Sequence, residues 1–148
     1  MKQVLTNSAQ ETIKLGSKIG ENIKSPVVIL LDGNLAAGKT TFTQGLAKGL
    51  GLPQIVNSPS YTIMKHYPGN KFDLYHLDLY RLDNIGEDFD LEEYLDDGVV
   101  VIEWPFRVKE LLPKEYLLIE INKTGENNRE FKFTPRGIKY EEVLKCIG

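Results

Sequence analysis

The chain has 148 residues, of which 41% are apolar and 26% charged, and its formal net charge is -3. These values predict one globular domain over residues 1–148, and the acidic balance without a basic stripe disfavours direct tight binding to nucleic acid. A single cysteine, Cys146, excludes an intramolecular disulfide. The N-terminus lacks the apolar core of a signal peptide, and the apolar run near it is too short to span a bilayer. Together with the single cysteine, these features predict a soluble cytoplasmic protein.

The first third of the chain predicts strand, helix, strand and helix in turn. A short strand is expected at Lys2–Thr6, and the helix after it is capped by Asn7 or Ser8, with Glu11 placed as in a capping box. "SPVVILLDG" is a continuous apolar run that ends in glycine, which is typical of a strand buried on both faces of a mostly parallel sheet. "TTFTQGLAKGLG" then predicts a second helix, which Gly51 and Pro53 end.

The rest of the chain predicts two hairpins, another buried strand and further helices. "YTIMKHY" and "KFDLYHLDLYRL" flank the turn "PGNK", and "EYLLIEI" and "REFKFTP" flank "NKTGENN". "VVVIEW" is a second buried-type strand, "IGEDFDLEEYLDDG" and "PFRVKELLP" are short helical pieces, and "KYEEVLKCI" is the last helix. We therefore predict an α/β fold with a mixed, largely parallel central sheet, helices on both faces and β-hairpins.

The most specific motif is a phosphate-binding loop between the first buried strand and the second helix. Its eight residues fit G-x-x-x-x-G-K-[ST] at every fixed position: Gly33, Asn34, Leu35, Ala36, Ala37, Gly38, Lys39 and Thr40. Backbone N–H groups and the helix dipole favour phosphate at this point. Lys39 is expected to reach the β- and γ-phosphates and Thr40 to bind Mg²⁺, while Thr41 either helps to orient the ion or continues the helix. The motif predicts a P-loop NTPase fold.

A P-loop NTPase usually needs a second acidic group near the Mg²⁺ ion, and two candidates are present. Glu103 ends the uninterrupted apolar strand "VVVI", just before the break at Pro105. Asp78 lies in the strand "LYHLDLY", where it could instead pair with Arg81 or Lys71. Glu103 has the better context.

Two short matches suggest a GTPase, but the second lacks the residue that would read the base. "DNIG" fits D-x-x-G, and "NKTG" resembles N-K-x-D with Gly125 in place of the carboxylate that selects guanine. ATP is therefore favoured over GTP. A small-molecule kinase is a second hypothesis, although the four arginines form no cluster that suggests a lid, and a nucleotide-gated binding module is a third.

Four segments occur in a distinctive order: "LDGNLAAGKTTFTQGL", "VNSPSYT", "YHLDLYRL" and "VVVIEW". In this order and spacing they resemble the bacterial TsaE (YjeE) family, the small ATPase of tRNA threonylcarbamoyladenosine synthesis. The short segments are weak evidence singly, but behind a phosphate loop they are specific as a set. The resemblance spans nearly the whole chain.

The resemblance implies an ATPase that is slow alone and uses ATP or ADP with Mg²⁺. It implies a partner complex, a heterodimer of two actin-like-fold proteins, one of which transfers the threonylcarbamoyl group to the adenosine next to the anticodon. ATP hydrolysis would drive or reset that complex, so the chain meets tRNA only indirectly. Neither DNA nor a membrane is implied as a partner.

The resemblance also assigns roles to individual residues. It places Mg²⁺ on Thr40 and Glu103, and gives Asp78 a role close to the γ-phosphate or the attacking water. The residues predicted to catalyse hydrolysis are Lys39, Asp78 and Glu103. Ser8 is expected near the adenine and Trp104 beside the site, and Arg129 either reaches the nucleotide or is a solvated turn residue.

The segment "SPSYT" is expected to act as a switch-like loop that offers the hydroxyls of Ser58, Ser60 and Thr62. The chain departs from the family pattern at Asn34-Leu35-Ala36, where Asp-Leu-Gly is more usual, and at Ser60, where Thr is more usual. Both changes keep the required chemistry. His76 shares a strand face with Asp78 and, without a second nearby His or Cys, is predicted to have a hydrogen-bonding structural role rather than to bind metal.

Overall fold

The computed structural model describes residues 2–34, 37–52, 64–69, 71–78, 97–104 and 112–147. Within these residues the strands are β1 (Lys2–Thr6), β2 (Val27–Asp32), β3 (Met64–Tyr67), β4 (Asp73–Asp78), β5 (Gly98–Glu103), β6 (Tyr116–Lys123) and β7 (Arg129–Arg136). The helices are α1 (Ala9–Glu21), α2 (Lys39–Gly49) and α3 (Ile138–Leu144), and a 3-10 turn at Lys145–Ile147 follows α3.

The strands form a single sheet in the order β1-β7-β6-β2-β5-β4-β3. The four central strands β6, β2, β5 and β4 are parallel, whereas β7, β1 and β3 pair antiparallel at the two sides. The predicted α/β fold, with its parallel centre and its two hairpins, is confirmed. Because β2, β5 and β4 are parallel, their carboxyl ends meet at one edge of the sheet, which is where open α/β sheets bind ligands.

Alternate residues of each central strand face two different apolar clusters, as a strand period of two requires. Val27, Ile29 and Leu31 of β2 pack with all three described helices in the larger cluster. Val28 and Leu30 face the smaller cluster on the opposite side of the sheet. Most of the helical pieces predicted at residues 85–98 and 105–113 lies outside the described residues. The end of the first prediction is wrong, because Gly98 pairs with Asp73 of β4 and begins β5. Among the described helices, none is long and apolar enough to cross a bilayer.

The ends of the first two helices follow the predicted capping chemistry. Ser8 caps α1, with its Oγ accepting a hydrogen bond from the backbone N–H of Glu11 at 3.1 Å, while the Glu11 carboxylate accepts from Asn7 N–H. At the far end of α2, the N–H of Gly51 bonds to the Lys48 carbonyl and the next N–H bonds to the Ala47 carbonyl. Gly51 has a φ of +78°, so α2 ends in a Schellman motif.

Glycines allow α1 and α2 to approach each other at backbone distance. A Cβ placed on Gly45 would fall 2.8 Å from the Cα of Ile13, and one on Gly16 would fall 2.8 Å from the Leu46 nitrogen. Real Cβ atoms do not come this close to backbone atoms. The helix that follows the phosphate loop is therefore held against α1, which also carries Ser8 at its start.

Candidate active site

The phosphate loop lies between the end of β2 and the start of α2, as the motif predicts. Gly33 packs against β6, because a Cβ there would fall 2.7 Å from the carbonyl oxygen of Ile121. Gly38 adopts a φ of +107° as the N-cap of α2 and supplies no capping side chain. Gly38 thus offers no side-chain oxygen to the first N–H groups of α2, and N–H groups at a helix N-terminus suit an anion. Leu35 and Ala36 lie outside the described residues, whereas Ala37 is buried.

Lys39 projects from the first turn of α2 into the edge of the sheet, where only 5% of it is exposed. Its Nζ donates a hydrogen bond to the Gly33 carbonyl oxygen at 2.9 Å and lies 3.9 Å from Glu103 Oε1. Burial lowers the pKa of Lys39 below its ordinary 10.5, and the charges of Glu103, Asp78 and Asp32 only partly offset this effect. The ammonium is therefore held in a site that gives it less stabilisation than water does.

Both acidic candidates from the sequence reach the same place. Asp78 and Glu103 end β4 and β5 and are register partners in adjacent parallel strands, so their side chains project from the same face of the sheet. Glu103 is buried and Asp78 is half-buried. Glu103 and Asp78 are 25 residues apart in the sequence, but in the structure both lie near Lys39.

The donor set suits a hard cation of the Mg²⁺ type. Thr40 follows Lys39 in the first turn of α2, and Glu103 supplies a carboxylate across the loop, so both groups offer oxygen. Within the part of the chain that the structure describes, no three His, Cys, Asp or Glu side chains form a ready-made metal cluster. Mg²⁺ is usually held by one or two protein groups together with phosphates and water, and the Thr40 hydroxyl and the Glu103 carboxylate are groups of that kind.

Trp104 closes the site beside Lys39. The Lys39 Nζ lies 3.6 Å from the centre of its ring, in cation–π geometry. Trp104 has a φ of +57°, a conformation that is a genuine outlier for a bulky side chain and that concentrates at functional sites. The turn immediately after Glu103 therefore carries backbone strain and directs the indole to the phosphate-loop lysine.

A small open cavity of about 70 Å³ adjoins the start of α2 on the side away from the acids. It is lined by Ser8, Ala9, Thr12, Gly38, Thr41, Asn127 and Arg129. Three residues predicted from the sequence, Ser8, Thr41 and Arg129, are thus brought together from α1, α2 and β7. Asn127 and Thr12 were not predicted, because a turn asparagine and a helical threonine carry no sequence signal for a binding role.

Arg129 is anchored beside this cavity by the turn between β6 and β7. Its Nη1 donates to the carbonyl oxygens of Gly125, Glu126 and Asn128 at 3.3, 3.2 and 2.9 Å. Asn128 in turn donates to the Asn7 side chain at 2.7 Å, which ties the turn to the start of α1. The Arg129 side chain also lies beside Gly38 of the phosphate loop, and that it reaches a nucleotide stays a prediction. The hydroxyls of Ser58, Ser60 and Thr62 lie outside the described residues, so the switch-like loop stays a prediction.

The comparisons with known proteins agree with one another. The family model "Threonylcarbamoyl adenosine biosynthesis protein TsaE" matches residues 6–131. The tRNA threonylcarbamoyladenosine biosynthesis protein TsaE of Bacillus subtilis (strain 168) is 43% identical over 144 residues, covering 97% of this chain and 91% of that protein. The protein of the same name from Treponema pallidum (strain Nichols) is 40% identical over 129 residues, covering 85% and 95%.

A solved structure is similar over the same extent. The crystal structure of Bacillus subtilis YdiB superposes with a TM-score of 0.83 at 38% sequence identity and covers 97% of this chain and 91% of that one. The similar structure, the family model and the similar proteins therefore all match most of this sequence. The chain belongs to the TsaE family.

Proposed function

We propose that the chain is an Mg²⁺-dependent ATPase required for threonylcarbamoyl modification of the adenosine next to the anticodon of tRNA. The observation that carries this proposal is the meeting of Lys39 and Glu103, 3.9 Å apart, between the phosphate loop and the carboxyl end of β5. One cationic and one anionic group at the N-terminus of a helix suit a triphosphate and a divalent cation. The names of the curated relatives support the place of this activity in tRNA threonylcarbamoyladenosine biosynthesis.

The proposed mechanism asks the chain mainly for positioning and charge. Backbone N–H groups of the loop and the Lys39 ammonium would hold the β- and γ-phosphates, which would replace the Gly33 carbonyl as the partner of Lys39. Bound Mg²⁺ would offset negative charge on the phosphates. Thr40 and Glu103 would hold it, and Asp78, beside Glu103 at the end of β4, would orient the attacking water.

The nucleoside half of ATP would lie on the side of Ser8 and Arg129. The Ser8 Oγ accepts from Glu11 N–H, so its own hydrogen remains free to donate to a ligand. Arg129 adjoins Gly38 at the end of the phosphate loop, since its Nε would lie 3.5 Å from a Cβ at that position. Gly125, in the turn beside Arg129, offers no carboxylate to guanine, which supports ATP over GTP.

The partner in this proposal is the heterodimer of two actin-like-fold proteins, one of which transfers the threonylcarbamoyl group. The small ATPase would drive or reset that complex between turnovers and would contact tRNA only through it. The net charge of -3 is consistent with an indirect relation to tRNA.

Phosphate release tests the proposal and separates it from the alternatives. The purified chain is incubated with Mg²⁺ and either ATP or GTP, alone and with the heterodimer, and free phosphate is measured. We expect slow release from ATP alone, faster release with the heterodimer, and less from GTP. A phosphorylated small-molecule acceptor would instead identify a kinase, and ATP-dependent binding to the heterodimer without phosphate release would identify a nucleotide-gated module.

A further inference from the structure

His76 is a fully buried residue of β4 whose ring reaches Glu103. Its Nε2 lies within hydrogen-bond distance of Glu103 Oε2, and its side chain has no exposed surface. The other carboxylate oxygen, Oε1, is the one 3.9 Å from the Lys39 ammonium. The two oxygens of Glu103 therefore have different neighbours, an imidazole on one side and the phosphate-loop lysine on the other.

The surroundings of His76 indicate which ring nitrogen carries the hydrogen. An ionised carboxylate can only accept hydrogen bonds, so Nε2 must be the donor to Glu103. The Nδ1 atom is buried and has no hydrogen-bond partner among the described residues. The contact with Glu103 is therefore assigned to a hydrogen on Nε2.

Among the residues that the structure describes, the hydrogen-bond partner of the His76 ring is Glu103. The strand neighbours on the same face, Leu74 and Val101, are apolar, so a leucine at position 76 would match them. The feature that a leucine cannot reproduce is the hydrogen bond to Glu103.

We infer that His76 is a positioning residue that fixes the Glu103 carboxylate so that Oε1 stays directed at the phosphate loop and its Mg²⁺. The arrangement is the one that supports metal ligands elsewhere, in which a hydrogen bond from a neighbouring group orients the ligand atom. β4 and β5 pair in register from Asp73–Gly98 to Asp78–Glu103, so the two side chains are carried by adjacent strands of one rigid sheet. This inference rests on the proposed nucleotide function.

The first test measures metal linkage rather than turnover. The affinity for ADP is measured by calorimetry with Mg²⁺ and with chelator, and the ratio of the two is the Mg²⁺-dependent gain. Loss of a supporting hydrogen bond typically lowers metal affinity or activity by about 10–100-fold, so His76→Leu should reduce this gain by about 10-fold or more. The affinity in chelator should stay unchanged, because the hydrogen bond that the variant removes goes to Glu103 and not to the groups expected to hold the phosphates.

Two further variants separate positioning from a general effect on β4. His76→Gln places an amide N–H where the imidazole Nε2–H lies and should restore much of the gain, whereas Leu74→Val perturbs the same face of the strand and should leave the gain intact. In a Glu103→Ala background, His76→Leu should have no additional effect. Retention of the full Mg²⁺-dependent gain in His76→Leu would overturn the inference. It would also be overturned if His76→Leu lowered the gain as much in the Glu103→Ala background as in wild type.

The second test observes the ring directly. The chain has two histidines, so nitrogen NMR of a histidine-labelled sample gives two ring patterns, and His66→Gln identifies the exposed one. We expect His76 to carry its hydrogen on Nε2 and to change its pattern in Glu103→Ala. A hydrogen confined to Nδ1 would overturn the inference whatever the ATPase result. A wild-type chain without any Mg²⁺-dependent gain would overturn the proposed function and the inference together.

Discussion

The Lys39 ammonium lies 3.6 Å from the centre of the Trp104 ring, and Trp104 is the single tryptophan of the chain. A cation–π contact of this kind is worth about 0.5–2 kcal/mol, less than several charge-assisted bonds to phosphate would give Lys39. Nucleotide binding should therefore change the contact. We expect the tryptophan emission to change saturably on titration with ATP or ADP in the presence of Mg²⁺.

Two variants assign that signal. Lys39→Met should alter the emission of the free chain and abolish its response, because the ammonium over the ring is gone. Trp104→Phe should lose the signal but still bind nucleotide by calorimetry. Saturable binding by wild type in calorimetry with no change in emission would mean that Lys39 stays on the ring and does not move to the phosphates.

Lys39→Met should remove nucleotide binding without weakening the fold. Hydrogen bonds to charged groups contribute about 1.5–3 kcal/mol each, so loss of the ammonium should lower the affinity for ATP by at least about 10–100-fold. Burial lowers the pKa of Lys39, which means that the charged form is disfavoured in the folded chain. The melting temperature of the free variant at neutral pH should therefore equal or exceed that of wild type. Calorimetry and thermal denaturation measure the two effects, and a binding loss that accompanied unfolding would not support the assignment.

Glu103→Ala should separate hydrolysis from binding. The variant removes the carboxylate at the carboxyl end of β5 and leaves the loop and Lys39 to hold the triphosphate. Removal of one electrostatic group from a catalytic site commonly lowers the rate by about 100–1,000-fold, and we expect a loss of at least this order in phosphate release. Some ATP binding should persist. Full ATPase activity in this variant would remove Glu103 from the mechanism.

The parts of the site that single sequence segments predict, without the family resemblance, are the local ones. Gly33, Gly38 and Lys39 follow from one eight-residue motif between a strand and a helix, and Glu103 follows from an apolar run that ends in an acid. Each of these signals is contained in a single segment. The strands β2 and β5 and the helix α2 that these signals predict are observed.

The contacts that remained unpredicted are set by the order of the strands. The His76–Glu103 bond requires β4 to pair with β5, and the proximity of Ser8 to Arg129 requires β1 to pair with β7. The sequence alone does not show which strands are neighbours in the sheet.

Gly45→Ala should destabilise the fold although alanine is the better helix former. In an exposed helix this change would stabilise by about 0.5–1 kcal/mol. Here the new Cβ would fall 2.8 Å from the Cα of Ile13 in α1, so α1 and α2 must separate. Overpacking of this kind costs about 1–3 kcal/mol, which urea denaturation can measure. The exposed Lys48→Ala on the same helix is the control and should change stability by less than about 0.5 kcal/mol. Equal stability of Gly45→Ala and wild type would contradict the close helix contact.

Tyr140→Phe should destabilise the fold because the phenol substitutes for a missing strand partner. The Tyr140 hydroxyl accepts a hydrogen bond from the backbone N–H of Val28 at 2.8 Å, and pairing between β2 and β6 begins only at the next residue. Without the hydroxyl this buried N–H loses its acceptor, which costs about 1–3 kcal/mol. The matched control is Tyr116→Phe, whose half-buried phenol makes no such bond to a backbone N–H of the described residues, and its cost should stay below about 0.5 kcal/mol.

The pH dependence of the stability of Tyr140→Phe gives a second, independent test of this contact. Burial, together with the nearby Glu115 charge, raises the pKa of Tyr140 above its ordinary 10.0, although the Val28 hydrogen bond partly opposes this. Between 10.0 and the folded value the unfolded chain has lost the proton and the folded chain has kept it, so the free energy of unfolding falls as pH rises. This loss is absent in Tyr140→Phe, and its stability gap to wild type should therefore narrow above about pH 10. Urea denaturation of both chains at neutral and alkaline pH measures the gap. A gap that widened above pH 10 would mean that the phenol ionises more readily in the folded chain, contrary to its burial against β2.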